Sequence, residues 1–236
     1  MRDAYYFISD IHLGLQAKAD EKIKEEKLVR LLKTISEDAK ELYILGDLFD
    51  YWFEYKRVYQ KGFYKTLSAL SDLAAQGVKI TYLIGNHDFL HRDFFREDIG
   101  ARLCRDAIVS EIEGLKFYLA HGDGLVKNDI GYLILKKVLR SRFAQWLYSI
   151  IHPDLGIAIA SLASRKSRNY TAKKDYGETD GMYEAAKGKI DDGYDYVIFG
   201  HSHRREFREY KTGRYINLGT WRKTVYISVG ICAGRI

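Results

Sequence analysis

Two cysteines, Cys104 and Cys232, are too few in 236 residues for a disulfide framework, and neither belongs to a metal-spaced pair. They are expected as buried thiols in a reducing compartment. Nor does the chain hold an uninterrupted apolar stretch of about 18 residues, the length a membrane-crossing helix needs, so it is expected to be soluble or to rest on a membrane without spanning it. Met1-Arg2-Asp3 runs directly into an apolar segment that Asp10 and His12 interrupt, which argues against a targeting signal. There is one proline, and no repeat, linker or low-complexity segment stands out. What the chain does have is 47% hydrophobic and 30% charged residues, ordinary for one large domain or a domain with a cap. A formal charge of +6 and a pI near 9.0 favour an anionic partner: a nucleotide, a nucleic acid or an acidic membrane surface.

The informative pattern is an apolar run that ends in polar residues, met five times. Leu42-Tyr43-Ile44-Leu45 is too short for a helix and reads as a strand buried on both faces. It stops at Gly46-Asp47, a turn signal that leaves a carboxylate at the strand's C-terminal end, where open α/β sheets bind ligands. In the same way Tyr5–Ile8 leads into Ser9-Asp10-Ile11-His12, and Ile80–Ile84 into Gly85-Asn86-His87-Asp88. Phe117–Ala120 leads into His121-Gly122-Asp123, and Tyr196–Phe199 into Gly200-His201-Ser202-His203.

Between the first runs, Lys18 to Lys27 reads as a solvated loop, followed by a helix with its apolar stripe at Leu28, Leu31, Leu32 and Ile35 that ends near Ala39. Phe63, Leu67, Leu70 and Leu73 mark a second helix, with Gly77 placed to cap it. This alternation predicts parallel strands joined by helical crossovers. Alternating segments around Glu113-Gly114 and Lys211-Thr212-Gly213 predict hairpins, and Thr224 to Ile231 a closing strand. The fold class expected is α/β (α+β), a two-sheet sandwich flanked by helices. Its core is 1–125 with 191–236, and 126–190 is a helical insertion. In that insertion Tyr132–Arg140 and Phe143–Ile151 are apolar and basic helices, broken at Pro153, before the cationic run Ser164 to Tyr170. It is either a cap that holds a greasy anionic ligand or leans on a membrane, or a packed helical subdomain with a solvated basic face.

Asp10, His12, Asp47, Asn86, His121, His201 and His203 form a nitrogen and oxygen donor set without thiolate, suited to Mn²⁺, Fe²⁺, Co²⁺ or Zn²⁺. Seven donors are too many for one ion and suit two sharing a carboxylate. The expected division is Asp10, His12, Asp47 and His203 on one, and Asp47, Asn86, His121 and His201 on the other. Two ions about 3.5–4 Å apart clamp a phosphate ester and make hydroxide available near neutral pH, so hydrolysis of a phosphate ester or anhydride is the expected chemistry. His87 is then expected at the leaving oxygen as acid or hydrogen-bond donor, with Asp50 orienting it. His91 and His152 have no such company.

These five motifs, in this order, resemble those of the calcineurin-like metallophosphoesterases. The resemblance spans nearly the whole chain and implies a four-layer αββα fold with a dimetal centre. Within that family, Gly46–Trp52, Gly85–Leu90, His121–Leu125 with Asn128-Asp129-x-Gly131-Tyr132, and Gly200–Arg204 resemble the UDP-2,3-diacylglucosamine hydrolases of lipid A synthesis. That resemblance implies a Mn²⁺-dependent pyrophosphatase, cytoplasmic and peripheral on the inner membrane, that releases lipid X and UMP from a lipid-linked nucleotide sugar. It also implies substrate contacts at Asn86, His87, His201 and, in the insertion, Asp129, Ser164, Arg165, Ser167 and Arg168. The chain departs from the subfamily in carrying His87 where many members have arginine, and Asp50 where they have glutamate.

The alternative is a phosphodiesterase or pyrophosphatase acting on another soluble nucleotide, with the insertion as a specificity lid. A protein phosphatase would carry an arginine soon after Asp50, where this chain has Tyr51-Trp52. A nuclease would fit the charge, but the cationic residues cluster beside apolar helices and not along an open groove, so no nucleic acid is expected. A non-catalytic scaffold predicts eroded ligands, and all seven are intact.

Overall fold

Each apolar run forms a strand, because side chains alternating across it find a hydrophobic partner on both sides. In the computed structural model, which describes residues 2–15, 17–125, 136–138, 140–160, 162, 178–221 and 229–232, these strands make two sheets. The first contains β1 (Ala4–Ile8), β2 (Ala39–Leu45), β3 (Lys79–Leu83), β4 (Arg102–Cys104) and β10 (Val229–Cys232), and the second β5 (Ile108–Ile112), β6 (Leu115–Leu119), β7 (Tyr196–Phe199), β8 (Arg205–Tyr210) and β9 (Gly213–Leu218). The spatial orders are β10-β1-β2-β3-β4 and β5-β6-β7-β9-β8. β1 to β4 are parallel with β10 antiparallel at the edge. In the second sheet β6, β7 and β9 are parallel, and β5 and β8 pair antiparallel at its two edges.

The period-two alternation makes the layers. Tyr5, Phe7, Tyr43, Leu45 and Leu83 face Phe117, Leu119, Ile198 and Ile216 between the sheets. Ile8, Leu42, Ile44, Ile80 and Tyr82 face outward, under Leu28 and Leu32 of α1 (Lys18–Ile35) and Leu67, Leu70 and Leu73 of α2 (Tyr64–Ala75). On the far side Val197, Phe199 and Tyr215 lie beneath Met182, Ala186 and Ile190 of the helix Glu178–Asp191. Helix, sheet, sheet, helix is the expected four-layer order.

Two boundaries differ from expectation. Residues 18–27 are the first turns of α1 and not a loop, and the chain is already in strand β2 at Ala39. Asp20 and Glu21 favour the helix start through the macrodipole, and its charged residues other than Lys24 are exposed or half-buried. The helix Glu178–Asp191 packs on the second sheet, so 178–190 belongs with the core layer and not with the insertion. Of the predicted closing strand, 224–228 lie outside the described residues, and the rest falls in β10. Both hairpins turn where predicted: Glu113 and Gly114 both have positive φ, 51° and 80°, which suits a type I′ turn, and Lys211 has φ 51°. Gly77, at φ 88°, donates to Ala74 O at the end of α2.

Candidate metal centre

The loops after β1 and β2 run side by side beyond the sheet. Asp10 N donates to Gly46 O at 3.2 Å, His12 N to Asp47 O at 3.0 Å and Leu13 N to Leu48 O at 3.0 Å. The motif-bearing strands are parallel within each sheet, β1 with β2 and β3 and β6 with β7, so in each sheet the ligand-bearing loops leave by one edge. Five of the seven predicted donors have left-handed backbone, an uncommon conformation outside glycine: Asp10, His12, Asp47, His201 and His203, with φ between 50° and 68°. Among the described residues only Phe63, Glu113 and Lys211 share it, at a helix start and in the two hairpin turns. Strain of this kind persists where surrounding structure over-determines it. The glycines before the ligands are spatial necessities. A Cβ on Gly85 would run into the Asp47 carboxylate, and one on Gly200 into Asp10 and Ser9.

All seven predicted donors converge. His12 Nε2 and His203 Nε2 stand 2.9 Å apart, and Asp10 Oδ1 lies 3.7 Å from the first and 3.3 Å from the second. Asp47 Oδ2 is 3.7 Å from His12 Nε2 and 3.4 Å from His121 Nε2, between the two halves of the cluster. Asn86 Oδ1 is 2.9 Å from both His121 Nε2 and His201 Nδ1. His121 Nδ1 donates to the Leu45 carbonyl at 2.8 Å, so that in the neutral ring Nε2, facing Asp47, is the nitrogen that carries the lone pair.

This donor set fits divalent cations. Asp10 Oδ1 and Asp47 Oδ2 are buried with no hydrogen-bond partner, which a carboxylate oxygen tolerates poorly unless a cation satisfies it. Their other oxygens are spoken for: Asp10 Oδ2 accepts from His201 N and Asp47 Oδ1 from His87 N, each at 2.9 Å. Burial alone would raise both carboxyls. The neighbouring imidazoles, His12 and His203 for Asp10 and His121 and His87 for Asp47, instead hold them below the usual carboxylate range. Burial would likewise lower His121, yet Asp47 lifts it to about 10; His201 is pushed down to about 4 by burial and by His121. The two carboxylates thus draw positive charge onto the site, a demand that divalent ions would meet.

His87 and Asp50 both lie beside His12 of the cluster. His87 Nδ1 is 3.0 Å from the Asp50 backbone carbonyl and 3.7 Å from its carboxylate, so the main chain provides the closer partner. The Asp50 carboxylate also stands 3.8 Å from His12 Nδ1. Asp129, Ser164, Arg165, Ser167 and Arg168 lie outside the described residues.

Several supporting residues escaped sequence reasoning. Asp88 accepts from Gly85 N and Leu48 N, each at 2.9 Å, and from the Tyr82 hydroxyl, which pins two ligand loops together. Lys24 is buried in α1 with Nζ donating to His12 O at 2.6 Å and paired with Glu21 at 2.8 Å. Asp123 pairs with Lys136 of the insertion at 2.6 Å, which ties the insertion to the His121 loop. Burial works against the Asp123 carboxylate, but His121 and Lys136 hold it down at about 2. His91, expected to be without company, is buried against Tyr82, Trp52 and Phe95, with Nδ1 3.5 Å from Glu54. His152 is exposed, 3.9 Å from Asp154. Only Asp88 and Asp123, each the last residue of a motif already read, gave a sequence signal.

The calcineurin-like phosphoesterase family matches residues 5–205. A UDP-2,3-diacylglucosamine hydrolase from Porphyromonas gingivalis is 33% identical over 94% of this chain and 91% of its own length. One from Haemophilus influenzae is 28% identical over 95% of this chain and 92% of its own. Among solved structures, Vacuolar Protein Sorting 29 from Cryptosporidium parvum aligns with a TM-score of 0.46 at 16% identity, over 92% of this chain and 74% of that one. With the family match and the first relative each running through most of the chain, this protein is a hydrolase that belongs to the calcineurin-like phosphoesterase family.

Proposed function

We propose that the protein hydrolyses the pyrophosphate bond of UDP-2,3-diacylglucosamine to 2,3-diacylglucosamine 1-phosphate and UMP. The proposed centre takes two divalent ions, Mn²⁺ first and Fe²⁺, Co²⁺ or Zn²⁺ as alternatives, divided as Asp10, His12, Asp47, His203 and Asp47, Asn86, His121, His201. The observation that carries the reading is an apolar face displayed by the insertion, which Lys136 ties to the His121 loop through Asp123. Phe143, Trp146 and Ile150, in and just beyond the helix Arg142–Ser149, fall at the spacing of one helical stripe and are 71%, 57% and 62% exposed. Leu155, Ile159 and Leu162 follow at similar spacing, also exposed. Contiguous exposed apolar surface of this kind suits acyl chains or a bilayer surface. The names of the two relatives support the same substrate.

When bound, two such ions supply an activated water and offset charge on the attacking and leaving oxygens. The chain's residues do the rest. Asp10 and Asp47, held ionised, bring negative charge to the cluster, and Leu45 O fixes the His121 tautomer. His87 donates Nδ1–H to Asp50 O, so a second proton on Nε2 makes it an imidazolium that can protonate the leaving phosphate oxygen. Asp129, Ser164, Arg165, Ser167 and Arg168 are proposed to contact the sugar and phosphates, and the exposed stripe to rest on the cytoplasmic face of the membrane. No helix among the described residues is long and apolar enough to cross one.

A second reading, a soluble nucleotide as substrate, is favoured by His87 in place of the subfamily's arginine. The deciding experiment is turnover with Mn²⁺ of UDP-2,3-diacylglucosamine in detergent, against UDP-N-acetylglucosamine and bis-p-nitrophenyl phosphate. Release of UMP from the diacylated substrate alone supports the proposal. Hydrolysis of only the unacylated compounds overturns it.

A further inference from the structure

We propose that a cavity at the edge of the first sheet, lined by none of the seven donors, is a second site for a phosphate group. It has a volume of about 550 Å³, and its wall includes Ile84, His91, Arg92, Arg96, Arg102 and Arg105. The four arginines arrive from different places: the loop after β3, the short helix Phe94–Glu97, β4 itself, and the residue just beyond it. Arg96 pairs with Glu97 at 2.8 Å, whereas no ion pair holds Arg92, Arg102 or Arg105 among the described residues. No acidic side chain lines the cavity.

Edge protection offers a plainer account of part of this. β4 is the outer strand, and a charged side chain there discourages pairing with another chain. That explains Arg102, but not three further guanidinium groups brought to the same hollow from outside the strand. The wall is also held in shape. Glu54 Oε2 accepts from Arg92 N at 2.8 Å, Asp93 N at 2.9 Å and Phe94 N at 3.2 Å, which fixes the loop that carries Arg92. Arg140 of the insertion donates to Arg105 O at 3.0 Å and to Ile84 O at 3.3 Å. His91 supplies the second sign of a ligand. It is 3% exposed; its Nδ1 stands 3.5 Å from Glu54 Oε1, while Nε2 makes no hydrogen bond among the described residues, an unusual state for a buried polar atom.

Guanidinium forks match the oxygens of a phosphate two at a time, and several of them with an imidazole suit a dianion better than a single carboxylate. The volume is in the range of small-molecule sites and larger than a bare phosphate needs. The phosphate is therefore one carried on a larger body, either a nucleotide or a lipid headgroup. Ile84 precedes Gly85-Asn86-His87 directly, so the cavity flanks the loop that contributes to the metal centre.

The test uses the Mn²⁺-loaded protein and Arg102→Gln/Arg105→Gln, with Arg92→Gln as an independent second variant; all three side chains are exposed. Inorganic phosphate and UMP are titrated by calorimetry, with hydrolysis of bis-p-nitrophenyl phosphate as the control for the metal centre. The expected result is a phosphate-binding event weakened about tenfold or more in both variants, as loss of charge-assisted hydrogen bonds implies, with control turnover unchanged. Two arms separate the sources. A nucleotide site predicts weaker UMP binding by the variants, and a headgroup site predicts unchanged UMP binding but weaker sedimentation with phosphatidylglycerol vesicles. Variants that bind phosphate, UMP and vesicles like the parent overturn the proposal. The phosphate isotherm does not depend on which substrate the metal centre hydrolyses, so this test can fail while the functional reading stands, and the reverse.

Discussion

Lys24→Met removes a cation that no sequence pattern marks as important. Its ammonium lies in the core, donates to the His12 carbonyl at 2.6 Å and pairs with Glu21 at 2.8 Å. Glu21 in turn accepts from Gly14 N at 2.7 Å. The pair therefore clamps the loop from His12 to Gly14, in which His12 is held at φ 50°. Methionine fills similar volume but takes the ammonium away from a largely buried carboxylate and a carbonyl, which keep only weaker neutral donors such as Gly14 N and Leu15 N. Breaking a buried pair this way costs about 3 kcal/mol or more. In a chain of this length each kcal/mol moves the melting temperature about 2–4 °C, so a fall of about 6–12 °C is expected. If His12 is a ligand, the relaxed loop also weakens metal binding about 10–100-fold, as loss of outer partners does elsewhere. Thermal unfolding by circular dichroism and metal content after gel filtration measure the two effects. Glu21→Met in the same chain should cost less than the sum of the single changes, because no unpaired charge remains. A Lys24→Met protein that melts with the parent and keeps its metals would refute the clamp.

The two histidine roles separate by metal content: His121→Ala should lose both metal and turnover, whereas His87→Ala should cut turnover with both metals still bound. An apo His87→Ala protein would make that residue a ligand. Glu54→Gln puts an amide where a carboxylate accepts from Trp52 Nε1 and three backbone N–H groups, at an expected cost of about 2–3 kcal/mol at pH 7. Burial opposes the Glu54 charge but His91 and Trp52 keep its pKa below the ordinary value. Its stabilisation is therefore present above the unfolded pKa and fades as pH falls through the lower folded one, and denaturant midpoints of parent and variant should converge there. A pH-independent gap would show that the charge is not what matters. Phe143→Ser with Trp146→Ser should abolish sedimentation with vesicles and leave hydrolysis of bis-p-nitrophenyl phosphate intact; undiminished sedimentation would remove the stripe from the membrane reading.

The parallel strands and the seven donors were legible because both depend on short-range sequence. A run such as Leu42–Leu45 can only be a strand buried on both faces, and a loop that begins at the carboxyl end of a parallel strand has one edge of the sheet to emerge from. What sequence could not supply were partners chosen by the fold. Lys24 looked like one of many solvated lysines, since the 3.6-residue spacing that places it beneath His12 exists only once residues 18–27 are helical. Glu54 and His91 lie 37 positions apart in sequence, and neither forms a motif with its neighbours; a parallel bridge between Phe53 and Leu90 brings them together. The boundary of the insertion failed for a related reason. Met182, Ala186 and Ile190 carry a helical apolar stripe that would suit a cap or a core layer equally. Only the bare outer faces of β7 and β9 decide between them, because Val197, Phe199 and Tyr215 have to be covered by something.

The left-handed ligand residues join these two levels. Asp10, His12, Asp47, His201 and His203 would relax toward ordinary backbone in an isolated loop, since Cβ crowding in this conformation disfavours every residue but glycine. They are held by hydrogen bonds that cross between loops: His12 N to Asp47 O, His201 N to Asp10 Oδ2, His87 N to Asp47 Oδ1. Each ligand loop is thus fixed by the next, and no single loop can adopt its geometry alone. Gly85 and Gly200 are the points where this interlocking leaves no room for a Cβ. It follows that Gly85→Ala should behave as a ligand mutation although glycine ligates nothing. The new methyl displaces the Asp47 carboxylate, so metal content and turnover fall together, and excess Mn²⁺ does not restore them because the obstruction is steric. Full recovery in excess metal would mean that Asp47 has somewhere else to go, and that the loops are less interdependent than their hydrogen bonds imply.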